Sequence, residues 1–210
     1  MPRPLRIDIP GSVYHVINRG VKKQAFFHDD EDRWEFLDWL KQTRRHYDFQ
    51  VQQYGLMTNH FHLLLRLGEA SLSRLMQYFG SRLAKSFNRK YSQGGHFFES
   101  RFHSIPVETD TYYKVVSRYI HLNPVKAGMV AKPEDYPWSN YHSLINGLHD
   151  PIADPAFLLD HFPPEDGFQR ERYRRFVEDD ITSPPLISDW VLQRLRSWGR
   201  LPVALAQRPR

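Results

Sequence analysis

Two histidines two residues apart, His60 and His62, stand in an apolar run that reads Met57-Thr58-Asn59-His60-Phe61-His62-Leu63-Leu64-Leu65. In a strand, residues i and i+2 share a face about 6–7 Å apart. The two imidazoles would therefore project side by side, while Phe61 and Leu63 turn the other way into a core. Paired imidazoles on one face can hold one metal ion. The same pair also occurs with structural roles, so a function needs a second set of groups.

A later helix supplies one. Thr109 or Asp110 can cap a helix from Thr111 to about Leu122. It is expected to stop where Asn123 meets Pro124, because a residue before proline is steered out of the α region. Tyr119 and Asn123 are four apart and so neighbours on one face, with Tyr112 two turns earlier. Two imidazoles and the Asn123 side-chain oxygen would leave positions open on a metal for a phosphodiester. Lewis-acid polarisation and in-line attack by a tyrosine would then leave a covalent phosphotyrosine. A phenol of ordinary pKa near 10 needs help from a metal or a cation to do this. Among eleven tyrosines, Tyr119 as a packed core residue is the competing reading.

A third set suits a polyanion. The helix from Ser71 to about Tyr91 has one apolar stripe of Leu72, Leu75, Met76, Phe79, Leu83 and Phe87. Arg74, Tyr78, Arg82, Lys85 and Arg89 fall within about an 80° arc on another side at 100° per residue. Four cations around a tyrosine, with no acid among them, fit a phosphate backbone and a stacked base. A solvated helix face is the plainer alternative. Arg101 and His103 could hold a further phosphate or simply pack. The cluster Arg170–Arg175 reads either as a DNA contact or as a charged helix.

These groups need elements to position them. Ser12–Gly20, after Pro10-Gly11, reads as a first strand closed by Gly20, and a helix follows from about Asp30 to Tyr47. Its acidic start, Asp29-Asp30-Glu31-Asp32, complements the helix dipole better than it suggests a metal site. Gln50–Met57 and His60–Leu67 form a hairpin around Thr58-Asn59. After the basic helix, His96–Val107 is extended. The order β-α-β-β-α-β is the split βαβ, ferredoxin-like pattern of an α+β fold: an antiparallel sheet with helices on one face. The third strand is interior in that topology, with the histidines on the face the helices leave free. Residues 1–145 are taken as the main domain and 146–210 as a mainly helical extension. Ten of the fifteen prolines lie from Pro133 on, and short helices are expected at Phe168–Glu178 and Ser188–Trp198.

Composition narrows the classes. The chain has no cysteine, which excludes disulfides and thiolate ligands. No apolar run spans a bilayer and Met1–Arg6 opens no signal peptide, so a cytoplasmic, nucleoid-associated protein is expected. Residues 1–130 carry 19 Lys+Arg against 12 Asp+Glu, whereas residues 131–210 carry 10 against 12. The basic first part points to nucleic acid.

Asn59-His60-Phe61-His62-Leu63-Leu64 together with Arg118-Tyr119-Ile120-His121-Leu122-Asn123-Pro124-Val125-Lys126-Ala127-Gly128 resembles the REP-associated tyrosine transposases, within the HUH single-strand transposases and endonucleases. Tyr136-Pro137-Trp138-Ser139-Asn140-Tyr141 is similar to a short motif that trails that domain. The resemblance covers about residues 8–145. It implies metal ligands at His60 and His62, a third ligand or active-site polar residue at Asn123 and the nucleophile at Tyr119, with Mg²⁺ or Mn²⁺ as cofactor. It also implies cleavage of single-stranded DNA near a hairpin, leaving a 5′-phosphotyrosine and a 3′-hydroxyl, by a monomer or a homodimer. In the insertion-sequence branch the Asn123 position is usually glutamine, one methylene longer. Two readings compete: a non-catalytic or domesticated nucleic-acid-binding protein on the same fold, and a phosphoesterase with paired His-x-Thr/Ser motifs. The sequence offers one His-x-His and no such pair.

Overall fold

Strand β3, His60–Leu67, alternates as its sequence requires: Phe61, Leu63, Leu65 and Leu67 are buried on one face, and His60, His62, Leu64 and Arg66 lie on the other, His60 and Arg66 only half-buried. In the computed structural model, which describes residues 9–162 and 168–179, β3 lies inside a four-stranded antiparallel sheet. The other strands are β1 (Val13–Arg19), β2 (Phe49–Leu56) and β4 (His103–Val107), in the order β2-β3-β1-β4. This is the expected α+β, ferredoxin-like arrangement. Helices α1 (Asp30–Thr43) and α2 (Leu72–Lys90) follow β1 and β3. The described residues form two compact units, 9–108 with 151–154, and 109–150 with 155–162 and 168–179.

In the first unit, Phe61 anchors the histidine strand. Its ring meets Phe36 of α1 at 4.9 Å and Phe79 of α2 at 6.2 Å between centroids, and it is fully buried. Removing such a ring costs about 3–5 kcal/mol, and here it would loosen the strand that carries both histidines. α1 and α2 thus cover the Phe61 face, and His60 and His62 stand on the opposite one. Asp29 caps α1, accepting from Asp32 N–H at 2.8 Å, and buried Asp32 receives Tyr91 Oη and Lys90 Nζ at 2.8 Å each. The acidic start is a helix cap clasped to the end of α2. β4 is shorter than expected. Residues 96–102 instead run beside the end of β1, with Val21 N–H on Phe97 O and Glu99 N–H on Arg19 O, both at 3.0 Å.

The second unit is helical: α3 (Asp110–Lys126), α4 (Tyr141–Asn146), α5 (Ala156–Asp160) and α6 (Gln169–Glu178). The helix expected at Ser188–Trp198 lies outside the described residues. α3 corrects one expectation, because it runs through Pro124. Proline forfeits a single bond, to the carbonyl four residues back, and in the last turn the end of the helix compensates. Gly128, at φ +70°, donates to Val125 O, and Met129 donates to Pro124 O, both at 2.9 Å. This double closure is a Schellman ending, for which the positive φ requires glycine. Asn123 therefore stays helical and keeps its four-residue relation to Tyr119. Among the described residues no helix is long and apolar enough to cross a membrane.

Candidate active site

The sheet register fixes what surrounds the histidines. His60 lies opposite Arg19 of β1, His62 opposite Ile17, and His103 pairs with Ile17 from the other side. The His60 and His62 rings are 5.1 Å apart and nearly perpendicular. His62 Nδ1 lies 3.0 Å from His15 Nε2, with the two rings stacked at 5.2 Å. His60 Nδ1 lies 2.8 Å from Asn59 Oδ1, while Asn59 Nδ2 donates to Lys23 O at 2.8 Å. An amide oxygen can only accept, so His60 carries its proton on Nδ1 and presents the lone pair of Nε2. The turn held by Asn59 contains Lys22 and Lys23 at φ +53° and +62°. Two successive left-handed non-glycine residues store strain of order 1–3 kcal/mol each.

These imidazoles are held neutral. Burial lowers His15 to about 3 and, together with the Arg19 charge, lowers His60 to about 4. His62 is pushed well below the usual range by burial first, then by His60 and His15. Neutrality is the state a metal ligand needs. Two adjacent neutral imidazoles, each with Nδ1 engaged, fit a divalent cation taken through Nε2, with outer partners of the kind that orient such ligands. Among the described residues no group of three or more His, Cys, Asp or Glu could hold a metal. A nitrogen-rich set suits Mn²⁺ better than Mg²⁺ on ligand type.

The second unit holds the other half of the expected constellation. Tyr119 is buried in α3, and its side chain is hydrogen-bonded to that of Asn123. Burial pushes the phenol well above its ordinary pKa, and the Asn123 bond pulls the other way. Tyr113 is core: its ring stacks on His161 at 4.5 Å. Tyr112 donates its backbone N–H to Thr109 Oγ1 at the helix cap. Buried His121 is fixed by Tyr173 Oη at 2.7 Å and Asn140 Oδ1 at 3.1 Å. Trp138 and Tyr141 are buried. They pack the chain rather than offer a face to a base.

The basic residues sort themselves. Arg74, Arg82, Lys85 and Arg89 are exposed on α2 and, among the described residues, make no ion pair. Tyr78 lies between His46 (5.1 Å) and Tyr47 (5.7 Å), with Arg82 over its ring at 5.3 Å. Because α2 covers the Phe61 face, this row stands behind the sheet and not beside the histidines. Arg101, exposed, lines a cavity of about 880 Å³ between α2 and residues 95–102. In α6, Arg170 donates to Leu144 O, Arg174 pairs with Glu134 and Arg175 with Glu171. That cluster is a charged helix. Sequence reasoning missed Arg19 as a neighbour of His60 and His15 as the partner of His62, which only the strand register reveals. It read Asn59, next to His60 in the chain, as a turn residue and not as the partner of its Nδ1.

The family described as Transposase IS200 like matches residues 9–123. A protein of Haemophilus influenzae named a REP-associated tyrosine transposase is 32% identical over 120 residues, covering 51% of this chain and 68% of that one. The solved structure of a REP-associated tyrosine transposase bound to a REP hairpin is similar with a TM-score of 0.58 at 20% identity, over 74% of this chain and 94% of that chain. At that identity the likeness bears on the fold.

Proposed function

Because the chain belongs to the IS200-like transposases, and so to the HUH tyrosine enzymes that include the REP-associated members, we propose that it cleaves and rejoins single-stranded DNA beside a REP-like hairpin. The observation that carries this reading is the pair of neutral imidazoles, His60 and His62, oriented through their Nδ1 atoms by Asn59 and His15. His60, His62 and the Asn123 side-chain oxygen would hold a divalent cation, Mn²⁺ or Mg²⁺. Bound there, such an ion supplies Lewis-acid stabilisation of charge on a non-bridging phosphate oxygen.

The chain's own groups do the remainder. Tyr119 is the nucleophile: its Oη forms a bond to phosphorus as the bond from phosphorus to the 3′ oxygen breaks. The products are a 5′-phosphotyrosine and a 3′-hydroxyl, with the phenol proton passing to solvent and a proton returned to the leaving oxygen. The buried phenol resists ionisation, so the proton must leave as the bond forms. Asn123 orients Oη for this through its side-chain bond. Attack by another 3′-hydroxyl on the phosphotyrosine reverses the chemistry and joins strands without an external energy source. Arg74, Arg82, Lys85 and Arg89, around Tyr78, bind the backbone of the hairpin.

The test is incubation of the full chain with hairpin-bearing single-stranded oligonucleotides, with and without Mn²⁺. A denaturant-resistant protein–DNA adduct is expected with metal, and Tyr119→Phe should abolish it. An adduct of equal yield from Tyr119→Phe moves the nucleophile to Tyr112. Tight hairpin binding without any adduct favours the binding-protein reading.

A further inference from the structure

A cation acts directly on His60: Arg19, the last residue of β1 and its direct partner across the sheet. Its side chain is 9% exposed, and both Nε and Nη2 reach a single carboxylate oxygen, Glu99 Oε2, at 2.7 Å. A guanidinium beside a site for a divalent cation is an unfavourable neighbour unless an anion lies with them. The ion pair is not needed to hold residues 97–99, because backbone bonds from Val21 to Phe97 and from Glu99 to Arg19 already tie them to β1. The two partners differ in freedom: the Glu99 side chain is 38% exposed and can swing away, whereas Arg19 is walled in.

We propose that Arg19 holds a non-bridging oxygen of the scissile phosphodiester, and that Glu99 is the resident anion it displaces. The inference rests on the proposed reaction for the identity of the anion. The guanidinium fork fits a phosphodiester as well as a carboxylate, and the exchange replaces one monoanion with another. Charge balance around the metal is thus kept both with and without DNA. Arg19 touches the reacting phosphate and Glu99 keeps the guanidinium positioned while the site waits.

Two measurements on the full chain test this. In the first, the Arg19 Nε–H resonance is followed by NMR as dimethyl phosphate, a phosphodiester probe, is added without metal. A saturable shift is expected, and Glu99→Gln, which removes the competing charge, should tighten the apparent Kd about 10-fold. A resonance indifferent to the probe, or an unchanged Kd in E99Q, overturns the proposal. In the second, Arg19→Lys keeps the charge and loses the fork. With an unchanged Tm it should bind hairpin DNA as the parent does and form adduct about 10²-fold more slowly. Parent-like adduct formation by a folded R19K overturns the role of Arg19 while the reaction stands. An intact dimethyl phosphate response in a chain that forms no adduct removes the reaction and keeps the anion site. If R19K does not fold, the first measurement decides.

Discussion

His62 and His121 are both fully buried, both neutral and both bonded to other side chains, yet they do different things. His121 has each nitrogen matched, Nδ1 to Tyr173 Oη and Nε2 to Asn140 Oδ1. Its ring ties α3 to α4 and α6, and nothing about it calls for a ligand. His62 has a ring partner at Nδ1 and a second histidine 5.1 Å away on the same strand face. Burial and a lowered pKa are therefore common to a structural histidine and a candidate ligand. The difference lies in a second donor on the same face.

The largest effect should come from breaking that pair. His62→Ala should lower adduct formation by at least about 10³-fold, by analogy with the loss of transition-state charge stabilisation at other sites. It should also erase the thermal stabilisation by Mn²⁺, which for a folded-state ligand reaches about 2.7 kcal/mol at 100 times its Kd. His121→Gln should leave Mn²⁺ stabilisation in place. Equal Mn²⁺ responses from His62→Ala and the parent would show the two histidines to be alike after all.

Next in size is the pH dependence of stability. Burial holds His121 at about 4 in the folded chain, with the Asn140 bond opposing it, against an unfolded value near 6.5. The unfolded state binds the proton first, so this contribution is fully present above about pH 6.5 and is lost as pH falls toward 4. Its full size is roughly 3 kcal/mol. Denaturant unfolding of the parent between pH 7 and 4 should therefore lose more stability than His121→Gln over the same range. Equal slopes would mean that His121 does not titrate through burial.

A smaller change should follow at the outer partner of the pair. His15→Ala removes the ring that orients His62, and losses of this kind cost about 10–100-fold in metal affinity. Isothermal titration with Mn²⁺ would measure it. An unaltered affinity would leave His15 as packing alone.

Much of this was legible in the sequence because local rules and the fold agree. The alternation of β3, the acidic cap of α1 and the stripe of α2 each bury what periodicity says they should. The i, i+4 relation of Tyr119 to Asn123 was legible too, although the rule against α geometry before proline pointed to an earlier end. What decided the end of α3 was closure at Gly128, a term that outweighs one missing bond. Arg19 and His15 were not legible as neighbours of the histidine pair. They meet it through register, which a sequence does not show.

The smallest expected effects separate two basic helices that a residue count would treat alike. Arg74, Arg82, Lys85 and Arg89 of α2 point outward without acidic partners among the described residues, whereas α6 spends its arginines on Glu134, Glu171 and Leu144 O. Arg82→Ala should weaken hairpin binding modestly and make the slope of log K against log salt shallower by about 1. Its effect on stability should stay within about 0.5 kcal/mol. Arg174→Ala should do the reverse: about 0–1 kcal/mol of stability for a partly exposed pair, and no change in the salt slope. Fluorescence anisotropy of a labelled hairpin across a salt series, beside denaturant melts, gives both numbers for each variant. If Arg174→Ala changes the slope as Arg82→Ala does, α6 is a DNA-binding element, and pairing with acids does not distinguish a packed cation from a binding one in this chain.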